Sequence, residues 1–332
     1  MTAPTWVIPF AVLLVSSGLP IVLHPLLRQL GVIDVPNDRS SHTDLAIRGV
    51  GIAPMAGLAF GGLLLAGPAA SGGGWAVLLA CIATALMAAG IGLIEDVRGI
   101  RTPIRVVLQL GVGLVGATAI LAVTGVAFVW IPLGALAIAT YINASNFMDG
   151  IDAISGMHGT VVGGVYATIG VMIGNEWLVM GGAVLAVAFL GFLPWNVLRG
   201  HMFLGDVGSY LLGAMIAALA FAAFLIGVNP IALVAPVSLY LTDTGITIFR
   251  RMRRGEPWLE AHRSHIYQRL TDRGLSHLQV ASIVAGGSLA AGAAGLLSVN
   301  GSPAMMAVSI ASIAFILLAY VRSAPTGQRL AA

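Results

Sequence analysis

The chain has 332 residues, of which 58% are hydrophobic and only 9% are charged, and its mean hydropathy is +0.97. Soluble domains usually carry about a quarter of charged residues, so this composition excludes an ordinary soluble fold and favours an integral membrane protein. The net charge is +3 and the isoelectric point lies near 9.4. The single cysteine, Cys81, excludes a disulfide framework and a thiolate metal site.

Eleven apolar runs follow one another along the chain. Most of them approach the roughly 20 residues that cross a ~30 Å hydrocarbon core, so we predict an all-α polytopic bundle of ten or eleven transmembrane helices. The count stays open because the second and sixth runs are short and must borrow flanking residues. The runs are Trp6–Leu30, Ile52–Gly67, Trp75–Ile94, Ile104–Thr124, Val126–Ile142, Thr160–Gly174, Trp177–Leu198, Ser209–Gly227, Pro230–Phe249, Leu278–Val299 and Ala304–Val321.

The basic residues set the predicted orientation. With eleven spans and the N-terminus outside, all 16 of them, every one an arginine, fall on the inner side, which the positive-inside rule places in the cytoplasm. Because topology and an anionic ligand account for these arginines, nucleic acid is not an expected partner. The first run lacks a small-residue cleavage site and is predicted to be a retained helix. The spacing Gly57-x-x-x-Gly61 suits close helix packing in lipid.

We predict a single transmembrane domain over residues 1–332, whose polar residues concentrate in five inner segments, 31–51, 95–103, 143–158, 199–209 and 250–277. In the first segment, a Pro-Asn turn and the Arg48-Gly-x-Gly run allow close backbone approach to a ligand, although a solvated loop with topology-setting arginines has the same composition. In the second segment, Glu95 and Asp96 are adjacent carboxylates, which repel each other unless a cation or a proton lies between them. Such a pair favours a divalent metal or proton abstraction; the alternative is an ordinary polar helix end.

The third inner segment is the densest in polar side chains. Asn143, Asn146, Asp149 and Asp152 are each three residues apart, so they share one face if the preceding helix continues through them. Four oxygen-bearing side chains without a balancing basic residue favour Mg²⁺ and a polar ligand. In the fourth segment, Asp206 either caps the following helix or faces a ligand.

The fifth inner segment begins with four arginines between positions 250 and 254, a pattern typical of topology and lipid headgroup contact. The later run from His262 to His265 offers donors that suit pyrophosphate oxygens. Asp243 lies within the preceding span, where an acid is a functional candidate unless it pairs with an arginine. Acids suited to Mg²⁺ and donors suited to phosphate thus share one membrane face, which favours phosphoryl transfer from a soluble nucleotide compound to a membrane acceptor.

Taken in order, these motifs resemble the polyprenyl-phosphate N-acetylhexosamine-1-phosphate transferase family over nearly the whole chain. The resemblance implies a helical bundle around a cytosolic cleft, with a bent ninth helix that forms a groove for the prenyl chain; Pro230 and Pro236 are placed to produce such a bend. The matched elements are Asp34-x-Pro36-Asn37-x-Arg39-x-x-His42, Arg48-Gly49-x-Gly51, Glu95-Asp96, Asn143-x-x-Asn146-x-x-Asp149-Gly150-x-Asp152, Phe203-Leu204-Gly205-Asp206-x-Gly208-Ser209, Asp243 and Arg263-x-His265.

The resemblance also implies roles for individual residues. It places Mg²⁺, with Mn²⁺ as an alternative, on Asp206 and Asn146, and a uracil-stacking ring at Phe203. Asp96 and Glu95 match the paired catalytic acids that position or deprotonate the lipid phosphate. The remaining predicted contacts are Asn143, Asp149, Asp152, Arg263 and His265 for the nucleotide sugar, and Arg39, His42 and Arg101 for phosphate.

The sequence departs from the family pattern in three places, and the third of them bears on the pathway. The acidic pair opens with Glu95 instead of Asp, and Val50 replaces one of three usual glycines. Three consecutive histidines of the muramyl-pentapeptide branch are absent, which disfavours peptidoglycan synthesis and favours initiation of O-antigen or a related surface polysaccharide.

The predicted reaction transfers the 1-phosphate of GlcNAc or a 6-deoxy-N-acetylhexosamine from a UDP-sugar (a UDP-N-acetylhexosamine) to undecaprenyl phosphate, releasing UMP at the cytoplasmic face of a bacterial inner membrane. Direct attack is favoured over a covalent aspartyl intermediate because positioning alone supplies much of the rate. The alternatives from other classes are a secondary transporter, whose broken helices and embedded acids look similar, and a non-catalytic scaffold. The lipid bilayer is the expected environment, and whether the protein forms a homodimer stays open.

Overall fold

The structure, a computed structural model, describes residues 6–29, 33–34, 46–66, 74–198, 202–257 and 262–324. Within these ranges the chain is almost entirely helical, with one short antiparallel pair of strands in which Ile33 faces Ile47. The strands are β1 (Ile33–Asp34) and β2 (Ala46–Ile47), and the helices are α1 (Val7–Gln29), α2 (Ile52–Leu65), α3 (Trp75–Arg98), α4 (Thr102–Thr124), α5 (Ile131–Met148), α6 (Ile154–Ile173), α7 (Glu176–Val197), α8 (Gly205–Leu225), α9 (Pro230–Val234), α10 (Ser238–Arg253), α11 (Ile266–Thr271), α12 (His277–Leu296) and α13 (Pro303–Ser323).

The described helices are long and apolar enough to cross a bilayer ten times, with α9 and α10 together forming one of these spans. Their surfaces also match a lipid environment. In the most apolar 18-residue stretch of α13 only 11% of the residues are buried, and Phe315 on that helix is 73% exposed. Soluble monomers rarely expose large contiguous apolar surfaces of this kind. The all-α polytopic membrane fold predicted from the composition is therefore confirmed.

Helix α2 accounts for the uncertainty between ten and eleven spans. It has 14 residues and is about 21 Å long at 1.5 Å per residue, shorter than a ~30 Å hydrocarbon core. Two glycines on α2 face α1, where a side chain at Gly61 would meet Val12 at 2.7 Å and Gly57 lies against Ser16. The predicted use of the Gly57-x-x-x-Gly61 spacing for close helix packing is thus confirmed.

Helix α8 lies at the centre of the bundle, since 89% of the residues in its most apolar 18-residue stretch are buried. Glycines allow α3 and α5 to approach it closely: Gly92 on α3 lies directly against the Asp206 backbone, and a side chain at Gly213 would meet the Tyr141 carbonyl at 2.6 Å. These contacts bring the start of α8 against the last turns of α3 and α5. The end of the bundle that they define is called the polar end below.

The span from Pro230 to Arg253 is interrupted at Pro236, one of the two prolines expected to bend it, whereas Pro230 is the first residue of α9 and lies outside the interruption. Helix α9 ends at Val234, a 3₁₀ turn covers residues 235–237, and α10 begins at Ser238. Pro236 has no N–H, and the turn frees backbone carbonyls that would otherwise be bonded within a helix. The Tyr166 hydroxyl on α6 donates to the Leu233 carbonyl at 2.9 Å, which satisfies one such acceptor inside the bundle.

An apolar cavity of about 390 Å³ lies beside this interruption, between α5, α6, α8, α9 and α10. Tyr141 lines the cavity and precedes Asn146 by five residues on α5, which is about 7.5 Å along the helix axis. The cavity therefore extends through the hydrocarbon region toward the polar end. Other residues of its lining include Leu133, Ala137, Phe221, Leu233 and Leu241.

Candidate active site

The carboxylate of Asp96, on the last turn of α3, holds the start of α8. Its Oδ1 accepts a hydrogen bond from the Asp206 amide at 2.9 Å, and its Oδ2 accepts one from the Val207 amide at 3.0 Å. The first N–H groups of a helix have no partner within the helix, and negative charge is favourable beside them. Gly205 allows the approach: its φ is +73°, and a side chain there would meet Asp96 Oδ2 at 2.6 Å.

Arg48 bridges the two buried acids. Its Nε lies 2.8 Å from Asp96 Oδ1, and its Nη2 lies 3.1 Å from Asp206 Oδ2. The Asp96 side chain is 1% exposed, whereas that of Arg48 is 37% exposed, so the guanidinium connects buried carboxylates to the surface of the polar end. Arg48 belongs to a motif seen in the sequence but was not predicted as a site residue. The sequence feature that could have identified Arg48 as a site residue is the Arg-Gly-x-Gly run itself.

Backbone pairing between two distant segments fixes both Arg48 and Phe203. The Phe203 amide donates to the Ile47 carbonyl at 2.8 Å, and the Phe203 carbonyl accepts from the Val50 amide at 3.1 Å. Gly51 continues this contact, because any side chain at that position would meet the backbone of Gly208 at 2.6 Å. Phe203, the predicted uracil-stacking ring, is half-buried at the polar end.

Asn146 brings α5 to the same cluster. Its Nδ2 donates to Asp206 Oδ1 at 2.6 Å and to the Ser209 hydroxyl at 3.2 Å, so the two predicted metal ligands are adjacent. Asn143, one turn earlier, donates to Gln109 Oε1 on α4. Helix α5 ends at Met148, so the expected continuation of one helical face through residue 152 does not occur. Gly150 marks the interruption.

Asp149 and Asp152 therefore lie in the turn between α5 and α6. Desolvation raises the pKa of the Asp149 carboxyl to about 7, although the nearby Ser155 side chain lowers it. Asp152 Oδ2 lies 2.9 Å from His277 Nδ1 at the start of α12. The turn brings these two acids to the polar end by a route other than the predicted helical face.

Glu95 occupies a different environment from its neighbour Asp96. Its Oε1 lies 3.5 Å from Arg105 Nη1. In the part of the chain that the structure describes, its buried Oε2 has no hydrogen-bond partner. Of the two predicted catalytic acids, Glu95 thus keeps an unused oxygen, whereas both oxygens of Asp96 accept hydrogen bonds. Arg101, a predicted phosphate contact, is exposed at the start of α4.

Asp243 on α10 holds the last polar segment in place. Its carboxylate accepts hydrogen bonds from the amides of Ile266 at 2.9 Å and Tyr267 at 3.1 Å, and from the Tyr320 hydroxyl at 2.7 Å. His265 Nδ1 also lies 3.1 Å from Asp243 Oδ1, and the His265 side chain is 2% exposed. Within the described residues, Asp243 thus pairs with a histidine instead of an arginine, and it fixes the orientation of that ring.

Tyr267 links this segment to the Asn146 cluster, because its hydroxyl donates to the Phe147 carbonyl at 3.0 Å. The rings of His262 and His265 stack with their centroids 4.9 Å apart. Burial lowers the pKa of His262 to about 4, so this ring is neutral near pH 7. Arg263, a predicted nucleotide-sugar contact, lies with its Nη2 2.9 Å from Asp272 Oδ1. The predicted phosphate contacts Arg39 and His42 lie outside the described residues.

The donor set at Asp206 and Asn146 suits a hard divalent cation. Both side chains carry oxygen and are adjacent; here the Asn146 amide nitrogen contacts Asp206, and a flip of that amide would turn its oxygen toward the same position. The described residues contain no group of three or more His, Cys, Asp or Glu side chains arranged as a metal site, so the protein supplies few ligands. Mg²⁺ fits this arrangement, because it is usually bound by one or two carboxylates together with substrate phosphates and water.

A membrane bundle with acids, an amide and a guanidinium gathered at one end, beside an apolar intramembrane cavity, has the parts that a membrane-embedded transferase needs. Sequence comparison gives the same class. The profile of glycosyl transferase family 4 matches residues 78–224, which include α5 and nearly all of α3 and α8, with the acidic pair, Asn146 and Asp206.

Full-length relatives extend the match. The chain is 28% identical to a probable undecaprenyl-phosphate N-acetylglucosaminyl 1-phosphate transferase of Bacillus subtilis, covering 80% of this chain and 77% of the relative. It is 28% identical to a decaprenyl-phosphate N-acetylglucosaminephosphotransferase of Mycolicibacterium smegmatis, covering 91% and 85%. It is also 30% identical to a phospho-N-acetylmuramoyl-pentapeptide-transferase of a Synechococcus strain, covering 65% and 69%. The chain belongs to glycosyl transferase family 4.

Proposed function

We propose that this protein transfers an N-acetylhexosamine 1-phosphate from a UDP-sugar to a polyprenyl phosphate and releases UMP. The names of the relatives in Bacillus and Mycolicibacterium describe transfer of an N-acetylglucosamine phosphate to undecaprenyl or decaprenyl phosphate. Undecaprenyl phosphate is the proposed acceptor. Initiation of O-antigen or a related surface polysaccharide is the proposed pathway, because the run from Arg263 to Gln268 lacks three consecutive histidines.

One observation carries this proposal: the apolar cavity ends near the carboxylate–amide–guanidinium cluster. A prenyl chain in the cavity beside Tyr141 would have its phosphate about 7.5 Å further along α5, at the level of Asn146. There it would meet Arg48, Asp206 and Asn146. A lipid phosphate is thus held at the boundary between an apolar compartment and a polar one, where a soluble donor can reach it.

Within this cluster, Asp206 and Asn146 are the residues that would hold Mg²⁺. When bound, the metal withdraws charge from the donor diphosphate. Arg48 bridges the two carboxylates nearest the phosphates, offsets one of their two negative charges, and lies at the surface of the site. Asp96 acts as a positioning residue, because its two oxygens hold the first amides of α8 and thereby the Asp206 side chain.

The reaction moves one phosphoryl group together with the sugar attached to it. An oxygen of the acceptor phosphate forms a bond to the β-phosphorus of the UDP-sugar, and the bond from that phosphorus to the bridging oxygen breaks. The bridging oxygen leaves with UMP. Where the acceptor phosphate carries a proton, the unpaired Oε2 of Glu95 is the proposed proton acceptor. Arg105 keeps the Glu95 side chain in place through its contact with Oε1.

The donor is proposed to bind over the turn between α5 and α6 and over the segment before α11. Phe203 offers an aromatic face for uracil. The imidazole of His265, fixed by Asp243, and the carboxyls of Asp149 and Asp152 offer polar contacts to the sugar and ribose hydroxyls. This arrangement selects a nucleotide sugar by its base and its hydroxyls, while the diphosphate meets the metal and Arg48.

The polar end is proposed to face the cytoplasm of a bacterial cell, with the N-terminus outside. Cys81 is buried, so an introduced cysteine can be labelled selectively in the wild-type background. Cysteine at the exposed turn residue Asn300 should react with an impermeant thiol reagent added to intact cells, whereas cysteine at Arg322 should react only after the membrane is opened. Labelling of the Arg322→Cys variant in intact cells would reverse the proposed orientation.

To test the function, the purified protein is incubated with undecaprenyl phosphate, Mg²⁺ and a panel of UDP-sugars. The masses of the lipid products are then measured by mass spectrometry. We expect a lipid whose mass increases by one N-acetylhexosamine phosphate, with GlcNAc or a 6-deoxy-N-acetylhexosamine as the preferred sugar. A product that gains the sugar without the phosphate, or no product with any UDP-N-acetylhexosamine, would contradict the proposal.

A further inference from the structure

A small cavity lined by arginine side chains lies at the end of α10, and these side chains give it positive charge. It has a volume of about 70 Å³ and lies between the last turns of α10 and the segment around α11. The side chains that matter are four arginines, one glutamate and one serine: Arg250, Arg251, Arg254, Arg269, Glu256 and Ser264. This cavity is called the cationic pocket below. Asp206, Asn146 and Arg48 do not line it.

The single carboxylate of the cationic pocket serves only two of its arginines. Glu256 Oε2 lies 2.9 Å from Arg251 Nη1, and its Oε1 lies 3.8 Å from Arg254 Nη1. Among the ion pairs of the described ranges, Arg250 and Arg269 take part in none. The lining therefore carries three positive charges in excess. Like charges this close repel one another in a partly desolvated site unless an anion lies between them.

The lack of negative charge and of hydrogen-bond acceptors is clearest at Arg269. Its Nε and Nη2 atoms are buried and, within the described part of the chain, have no hydrogen-bond partner, and the same holds for Nε of Arg251. Buried N–H groups are almost always satisfied in folded proteins, by protein, by water or by a ligand. Burial and then the positive charge of Arg250 lower the pKa of Arg269, the negative charge of Asp243 opposes them, and the charge of Arg273 lowers the pKa again. The donors are thus formed but lack an acceptor.

The surroundings of the cationic pocket indicate a lipid. Phe249 and Met252, next to the pocket arginines on α10, are 58% and 53% exposed, and the Arg253 guanidinium lies 5.5 Å from the centroid of the Phe249 ring. The span that contains them ends at Arg253. Exposed apolar side chains followed at once by arginines are the pattern of the boundary between acyl chains and headgroups.

We propose that the cationic pocket binds the phosphate group of an anionic membrane phospholipid, whose acyl chains lie along Phe249 and Met252. The guanidinium groups of Arg250 and Arg269 donate charge-assisted hydrogen bonds to the phosphate oxygens. The bound lipid joins α10 to the segment that carries Arg269 and, through Asp243, His265. Asp206, Asn146 and Arg48 do not line the pocket, whereas Ser264, next to His265, does, so lipid binding is measured without a UDP-sugar present.

Native mass spectrometry of the purified, detergent-solubilised protein tests the proposal. Phosphatidylglycerol and phosphatidylcholine are titrated separately against wild type, Arg250→Gln and Arg269→Gln. Arg322→Gln is the matched control, because it removes the same charge from an exposed position at the same end of the bundle. We expect saturable binding of phosphatidylglycerol that is at least about tenfold weaker in the two pocket variants, a factor that corresponds to about 1.4 kcal/mol. The Arg322→Gln variant should bind as wild type does.

A parallel arm separates a lipid phosphate from a free anion. Inorganic phosphate is added to the lipid-depleted protein and the thermal midpoint is measured. A rise that Arg250→Gln abolishes, without phosphatidylglycerol binding, would overturn the lipid assignment and identify a free-phosphate site. Equal binding of both lipids, or wild-type affinity in both pocket variants, would overturn the site altogether. Arg269→Lys, which retains the charge, shows whether a loss in Arg269→Gln reflects lost folding.

Discussion

The two neighbouring acids at the end of α3 should respond to substitution in different ways. Asp96→Asn keeps the shape of the side chain but offers only one acceptor oxygen. The amide NH₂ must then face either the Asp206 or the Val207 backbone N–H, and the contact with Arg48 loses its charge. Because Arg48 is 37% exposed, the lost ion pair is screened by solvent and the main penalty is one backbone N–H left without an acceptor, about 2–3 kcal/mol in all. We expect Asp96→Asn to unfold at least about 4 °C lower, taking about 2 °C per kcal/mol for a long chain.

Glu95→Gln should behave differently, because Glu95 makes one 3.5 Å contact with Arg105 and leaves Oε2 without a described partner. The thermal midpoint should stay within about 2 °C of wild type, since a single long ion pair contributes little. If Oε2 accepts the acceptor proton, turnover should fall by about 10²–10⁴-fold, the usual contribution of a general base. Binding of the UDP-sugar should persist.

The assay measures thermal midpoint, UDP-sugar affinity and turnover for wild type and both variants in one detergent. An Asp96→Asn protein that melts like wild type but does not turn over would refute the positioning role. It would indicate instead that Asp96 acts directly on the substrates. A Glu95→Gln protein with normal turnover would refute the proton-transfer role. Loss of midpoint in both variants to the same extent would show that the acids have no separate functions.

Three further outcomes follow from the same structure. Ala137→Phe, which fills the apolar cavity, should raise the KM for undecaprenyl phosphate about tenfold but leave the KM for a short-chain acceptor unchanged, whereas Ala293→Phe on the exposed face of α12 should change neither. The pKa of Asp149 is raised from 3.8 to about 7, so the stability that its protonated form contributes is complete below pH 4 and is lost as pH rises through 7. The thermal midpoint of wild type should therefore fall more between pH 5 and 8 than that of Asp149→Asn. Parallel curves for the two proteins would contradict this. Asp206→Asn should abolish the dependence of turnover on Mg²⁺ together with turnover itself, while a wild-type Mg²⁺ titration curve would leave Asp206 a purely structural residue.

The fold was predictable because lipid imposes a length and a composition on every span. Runs of apolar residues therefore located the helices, and prolines located the interruption at Pro236. The details near the polar end were less accessible. Helix α5 continues beyond the apolar run to Met148 and then stops before Gly150, so apolar length alone could not place its end, and spacing by threes could not show that the face is broken after it.

The partners in the site were not predictable from local pattern. The sequence left Asp206 as either a cap or a ligand, but the amides at the start of α8 are bound by Asp96, 110 residues earlier. The bridge made by Arg48 depends on backbone pairing between segments that are more than 150 residues apart. Such contacts are set by helix packing, here by Gly92 and Gly205, which admit α3 to the start of α8. Periodicity along the chain carries no information about them.

The central claim is that a sugar phosphate, and not a sugar alone, moves to the lipid. It is tested most directly with UDP-N-acetylglucosamine labelled with ³²P in the β-phosphate, incubated with the purified protein, Mg²⁺ and undecaprenyl phosphate. We predict that the label passes into the organic phase with the lipid, that the released nucleotide is unlabelled UMP, and that Asp206→Asn gives neither. Label that remains in the aqueous phase as UDP while the lipid gains the sugar would contradict the account.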